Sequence, residues 1–239
     1  MGRGGKMALK SFKQLDKLSP TSTVKVLLES REKVANVPAD YRFATLSDSI
    51  VRNAQPEIYA LLERYVATFS KRGHQVKSLY LWSQAPGTGK TTTASALLNE
   101  YIIAAVNSHI SDGVRPPEQP AYFLDVNELQ TLYNEFARPH VPPEIAERSA
   151  SHYYAKVQAA KKAMFTVFDD IGVRSATDGF RGDLHNIINE RVANNRPSIY
   201  TSNLAIEEMT HVFDARLFDR MRDQCQALHF TGASKRGKR

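Results

Sequence analysis

The residues best suited to chemistry are Gly87, Gly89, Lys90 and Thr91, within Ser83-Gln84-Ala85-Pro86-Gly87-Thr88-Gly89-Lys90-Thr91-Thr92. Glycines at 87 and 89 let the backbone turn with its N–H groups facing a phosphate, and a helix beginning near Lys90 adds partial positive charge at the same point. The Lys90 ammonium would reach the β- and γ-phosphates of a bound nucleotide, and the Thr91 hydroxyl is placed to ligate Mg²⁺. The usual pattern puts a first glycine at 84, where this chain has Gln84. Gly87, in the middle of the loop, is left to supply the flexibility.

A second signal lies about eighty residues on, where the apolar run Met164-Phe165-Thr166-Val167-Phe168 ends in Asp169-Asp170. Paired carboxylates at a strand end complete a nucleotide site: Asp169 would hold the Mg²⁺, and Asp170 would polarise an attacking water. A third is Thr201-Ser202-Asn203, just past another apolar run, where the Asn203 amide could bond a γ-phosphate or the attacking water, or could cap a helix starting near Ala205. A fourth is Arg216-Leu217-Phe218-Asp219-Arg220-Met221-Arg222. Three arginines in seven positions suit a solvated helix face, but an arginine projecting into a neighbour's site can stabilise transition-state charge.

The elements that must hold these residues alternate. Strands are expected at Leu79–Trp82, Ala121–Leu124, Met164–Phe168, Ser198–Thr201 and Ala227–Phe230. Helices are expected from Pro56 to Lys71, stopped by Arg72-Gly73-His74, and after Lys90, where Ala94, Leu97, Leu98, Tyr101 and Ile102 recur at helical spacing. Further helices are expected over Val126–Phe136, Glu144–Ala163 and Asp183–Asn194, with one or two short ones between Glu207 and Arg222, and Asn107–Pro120 reads as a polar loop. Five short apolar runs alternating with helices imply a parallel sheet covered on both faces, with ligands at the carboxyl ends of its strands. Residues 1–40 read as a short helical appendage, with patterns at Lys10–Leu18 and Thr23–Ala35, ahead of a domain over 41–234 and a basic tail at 235–239.

The chain has 239 residues, 42% of them apolar, enough for one α/β domain with a real core. No apolar run approaches bilayer length and no apolar segment follows the basic start, so a soluble cytoplasmic protein is expected. One cysteine, Cys225, excludes an intramolecular disulfide, and the seven histidines lack metal-site spacing. The net charge of +7 sits at the ends: residues 1–17 and 235–239 are each strongly basic, while the middle is close to neutral. That pattern suits contact with phosphate backbones through tails or local loops.

Taken in order, Pro86 to Thr91, Phe168-Asp169-Asp170-Ile171-Gly172-Val173, Thr201-Ser202-Asn203, Glu207-Glu208-Met209-Thr210 and Arg216 to Met221 resemble the AAA+ ATPases that load bacterial and phage replicative helicases, the DnaC/DnaI-like proteins. The resemblance spans roughly residues 37–236. It implies an α/β fold with an AAA+ P-loop NTPase core, a five-stranded parallel sheet between helices and no separate C-terminal lid domain. It implies ATP and Mg²⁺ as cofactors, with Ala85 to Thr92 around the phosphates, Thr91 and Asp169 on the metal, and Asp170 and Asn203 in catalysis. Arg220, with Arg216 close behind, matches an arginine finger acting in trans; Arg236 matches a sensor-type arginine, and Tyr41-Arg42 a segment near the adenine. The loop Arg174 to Arg181 falls where such proteins touch single-stranded DNA, with Arg174 and Arg181 suited to the backbone, Thr177 beside them and Phe180 suited to stacking on a base.

The resemblance further implies a replicative helicase as partner and self-association into a spiral or ring, with no membrane contact. The appendage departs from the family, whose helicase-recognising N-terminal domains are larger. An ATPase that assists transposition shares the same core and would bind DNA and a transposase instead. A P-loop kinase acting on a small molecule and a non-hydrolysing nucleotide-binding module also remain open at this level.

Overall fold

A computed structural model of the chain describes residues 14, 19, 22–70, 75–172, 175–211, 213 and 215–234. The basic stretches at both ends, nearly all of the Lys10–Leu18 pattern, the Arg72-Gly73-His74 stop, Arg174 and Arg236 lie outside these residues.

Five parallel strands, β1 (Ser78–Trp82), β2 (Ala121–Asp125), β3 (Phe165–Asp169), β4 (Ser198–Ser202) and β5 (Cys225–His229), form one sheet in the order β2-β3-β4-β1-β5. β1 is flanked by β4 and β5, with Tyr80 level with Tyr200 and Ala227. The chain leaves β1, crosses to β2 at the far edge, returns through β3 and β4, and finally adds β5 beyond β1. The reversal of direction at β1 opens a crevice at the strands' carboxyl ends, where a parallel sheet binds its ligands. The third and fifth strands are offset by one or two residues from their expected limits and the others are each one residue longer; the alternation is as expected.

Helices cover both faces, which is why the central strands read as nearly continuous apolar runs. On one face Leu79, Leu81, Phe123, Phe165, Val167, Ile199 and Leu228 pack with α1 (Thr23–Val34), α2 (Pro56–Val66) and α3 (Lys90–Ser111). On the other, Tyr80, Tyr122, Leu124, Phe168 and Tyr200 pack with α4 (Val126–Ala137), α5 (Pro143–Lys162), α6 (Asp178–Ala193) and α7 (Ala215–Gln224). After β5 the described residues run to Ser234 without a further helix. α3 runs four residues past the expected loop start at Asn107, because Val106 and Ile110 still pack against the core. α6 begins at Asp178, five residues before its expected start, since the Thr177 hydroxyl accepts the Phe180 N–H and caps it.

Residues 22–39 do not stand apart. Leu28 and Ala35 are fully buried in the same cluster as Leu97 and Phe123, so the expected boundary at 40 corresponds to no break in packing. Arg31 donates to the Pro116 and Pro117 carbonyls at 3.0 and 2.9 Å. The Phe123 N–H donates to the Ala35 carbonyl at 2.7 Å, and Asn36, held at φ +59°, donates from its side chain to the Phe123 carbonyl at 3.0 Å. These two bonds occupy the outer edge of β2.

From there residues 37–55 run along α3 toward its first turn. Asn99 on α3 donates to the Tyr41 and Ala44 carbonyls at 3.1 and 2.8 Å. Tyr59 joins Ser49 to Thr93 through hydroxyl contacts of 2.6 and 2.9 Å, and Val51 reaches Gly89 itself.

Candidate nucleotide site

Strand β1 delivers the chain into the loop 83–89, two of whose turns are made by glycines with positive φ. Gly87 and Gly89 have φ of +71° and +101°. At Gly89 a β-carbon would also fall 2.6 Å from both Val51 γ-carbons, so steric and conformational demands coincide there. α3 then begins at Lys90, so the N–H groups of its first turn lie at the end of the loop, where a helix start attracts an anion.

The residues the sequence picked out converge. Lys90, 6% exposed, donates from Nζ to the Asn203 side-chain oxygen at 2.8 Å, with the Ser83 and Ala85 carbonyls at the long limit of 3.4 and 3.5 Å. An ammonium can only donate, so the Asn203 oxygen faces Lys90 and its NH₂ group is left to donate elsewhere. Asn203 therefore serves the loop and does not cap the next helix; the Ala205 N–H is taken by Glu208 at 2.7 Å. The Thr91 hydroxyl donates to both Asp169 oxygens at 3.0 and 3.1 Å, which ties the start of α3 to the end of β3. In the same loop the buried Thr88 hydroxyl has no hydrogen-bond partner among the described residues.

The acidic half is a tight turn. Asp170 sits at φ +58°, and its side chain meets the Asn127 amide at 3.5 Å. Asp125, level with Asp169 across the sheet, caps α4 by accepting the Asn127 and Glu128 N–H groups. Burial pushes the Asp169 carboxyl up to about 7; the Thr201 and Thr91 hydroxyls oppose this, and the Asp170 and Asp125 charges add to it. A cation beside Asp169 would offset that cost.

Among the described residues no three His, Cys, Asp or Glu side chains come close enough to hold a metal by themselves. Mg²⁺ fits such a site only when phosphate oxygens and water supply most of its octahedron, with Thr91 and Asp169 as the protein's share. The donor set therefore suits a magnesium nucleotide: N–H groups, an ammonium and hydroxyls on one side, carboxylates on the other.

Other expectations fare differently. Thr92 follows Thr91 in the first turn of α3. Tyr41 and Arg42 sit away from the loop: Tyr41 is held at Asn99, nine residues and roughly 13 Å along α3 from Lys90. Arg42 is paired with Glu32 at 2.7 Å. The segment that borders the loop is instead Ser49–Gln55, with Val51 against Gly89 and Gln55 donating to the Thr231 carbonyl at 2.6 Å. Phe180 is not available for base stacking. It is 2% exposed and packs with Tyr133, because the early start of α6 turns it into the core.

Thr177 and Arg181 remain at the surface end of α6, Arg181 paired with Asp178. Arg220, exposed on α7, donates to Asn189 of α6, and Arg216 belongs to the same helix. In the sequence Thr201 is simply the first residue of Thr201-Ser202-Asn203. Its hydroxyl, 2.6 Å from Asp169, is a contact that nothing in the spacing discloses.

No family model matches the sequence, and no curated protein matches it. Solved structures do match in fold. DnaI superposes with a TM-score of 0.58 at 23% identity, over 86% of this chain and 99% of that one. The DnaC helicase loader gives 0.54 at 18% identity, over 81% of this chain and all of the other. This chain has the AAA+ P-loop fold. DnaA from Aquifex aeolicus, solved with AMPPCP bound, shares that AAA+ core with a TM-score of 0.53 at 14% identity, over 82% of this chain and 51% of that one. In the AAA+ core described here, strand order and loop geometry together account for why Lys90, Asn203, Thr91 and Asp169 meet at one end of the sheet.

Proposed function

We propose that this protein is an AAA+ ATPase that loads a replicative DNA helicase onto single-stranded DNA. The observation that carries the ATPase part is the paired contact of Lys90 with Asn203 and of Thr91 with Asp169, which gathers phosphate-binding and acidic groups from three strand ends. The fold shared with DnaI and the DnaC helicase loader supports the loading part.

In this reading the loop N–H groups and Lys90 bind the triphosphate, with Ala85 to Thr92 enclosing it. Mg²⁺, when bound, would supply neutralisation of phosphate charge. Thr91 and Asp169 would hold that ion, directly or through water. Asp170 accepts a proton from, or orients, the attacking water, and the free NH₂ of Asn203 donates to the γ-phosphate or to that water. Arg220, or Arg216 beside it, acts from a neighbouring copy in a spiral or ring, and Arg236 approaches the same nucleotide. Thr177, Arg181 and Arg174 contact the DNA backbone, without base stacking by Phe180.

The test is ATP turnover by the purified protein with and without single-stranded DNA. Turnover that DNA changes, together with co-purification of a hexameric helicase, is the expected result. Absence of turnover in both conditions would reduce the protein to a binding module, and co-purification of a transposase would replace the helicase. Arg220→Ala is expected to leave nucleotide binding intact and cut turnover in the assembled state by 10³-fold or more, on the order of what such arginines supply; full turnover would remove its role in trans.

A further inference from the structure

We infer that Thr201 is the positioning residue of the acidic pair, setting both carboxylates through a single hydroxyl; the inference rests on the nucleotide-hydrolysing reading above. The paired register of β3 and β4 ends at Phe168 opposite Tyr200. Beyond it Thr201 holds three successive residues. Its hydroxyl donates to Asp169 Oδ1 at 2.6 Å and accepts the Asp170 N–H at 2.9 Å, while its carbonyl accepts the Ile171 N–H at 2.9 Å.

Asp170 needs that support, since φ of +58° is a region that a residue with a β-carbon disfavours. A hydroxyl has one proton to give. With it committed to Asp169, the lone pairs face the Asp170 amide, so one group fixes the aim of the first carboxylate and the backbone of the second. Thr91 also donates to Asp169, but Thr91 stands on the phosphate side and is the hydroxyl that turns to the metal. Thr201 then remains the donor that keeps Oδ1 in place. It is fully buried, so water does not substitute for it.

Two substitutions separate the hydroxyl from the methyl group. Thr201→Val keeps the shape and removes the donor; Thr201→Ser keeps the donor and removes the methyl. The readouts are kcat and KM for ATP, and the extra rise in melting temperature that Mg²⁺ adds to a non-hydrolysable ATP analogue. The valine protein is expected to lose roughly 10–100-fold in kcat, as removal of a partner behind a metal ligand does. Its KM should stay within about threefold, a split typical of groups that act on the reacting geometry and not on uniform binding. Most of the magnesium-dependent rise should also vanish, while the serine protein stays within about threefold of the parent throughout.

A valine protein with parental kcat and magnesium response, or a serine protein as impaired as the valine one, overturns the assignment. Should valine prevent folding, Thr201→Cys, a weak donor of similar size, is expected to be more impaired than serine, and a parental result with cysteine overturns it equally. If the parent hydrolyses no ATP, the enzymatic reading fails on its own, and the magnesium response still decides the role of Thr201. A parent without any magnesium response overturns both.

Discussion

Two buried cations hold opposite ends of the same sheet, and they differ in how fully the protein uses them. At the amino ends of the strands Arg191, with no exposed surface, spends its guanidinium on the Ala160, Ala163 and Pro197 carbonyls and the Ser198 hydroxyl, at 2.7–2.9 Å. Burial lowers its proton affinity to about 10, and the planar fork matches four fixed acceptors. At the carboxyl ends Lys90 donates to Asn203 at 2.8 Å and reaches two carbonyls at the limit of hydrogen bonding. The first cation is a staple between α5, α6 and β4. The second is a point charge whose amide and carbonyl acceptors an incoming phosphate can replace.

Exchanging charge for shape at each end sharpens that contrast. The largest effect is expected from Lys90→Ala, which should weaken ATP binding by about 100-fold, the worth of a charge-assisted contact of up to about 3 kcal/mol. Its urea unfolding midpoint should barely move; calorimetric titration and denaturation of the same sample check both halves. Arg191→Met should do the reverse, costing on the order of 3–5 kcal/mol of stability because buried carbonyls lose their donors, with ATP affinity unchanged in whatever protein remains folded. Equal effects of the two substitutions on binding would erase the distinction.

Gly89→Ala is expected to fall between them. The added methyl meets Val51 and the positive φ together, so about 1–3 kcal/mol of stability and most of the ATP affinity should be lost, and Gly89→Ala/Val51→Ala should recover only the steric part. The smallest effect on nucleic acid is expected from Phe180→Ala. It should lower stability by roughly 3 kcal/mol through a cavity beside Tyr133 and leave DNA affinity unchanged once folded, whereas Arg181→Ala should weaken DNA binding and flatten its salt dependence by about one phosphate contact.

The same contrast bears on what was legible in the sequence. Lys90 could be read because its chemistry is local: two glycines, a lysine and a threonine within five positions, between an apolar strand and a helix. Asp169-Asp170 and Asn203 could be read because each ends a strand, and parallel strands carry such residues to one edge. Arg191 could not, because nothing near it in the chain says that α5 and β4 will present carbonyls there. Phe180 was misjudged for a related reason. Its neighbours look like a polar loop, and the Thr177 cap that starts α6 early is a tertiary outcome as much as a local one. The resemblance puts Tyr41 and Arg42 near an adenine; what the sequence does not show is that Asn99, 58 residues on, donates to the Tyr41 carbonyl and that Glu32 pairs with Arg42.

The clasp made by Ala35 and Asn36 has a consequence for how far the sheet can extend. An outermost parallel strand ordinarily offers alternating donors and acceptors to any extended peptide that drifts past. Here Phe123, at the centre of that strand, already has both its N–H and its carbonyl engaged by the chain's own earlier residues. Recruitment of foreign strands on this flank is thereby blocked at its middle, and the commonest way for a β-edge to pair wrongly is closed off there.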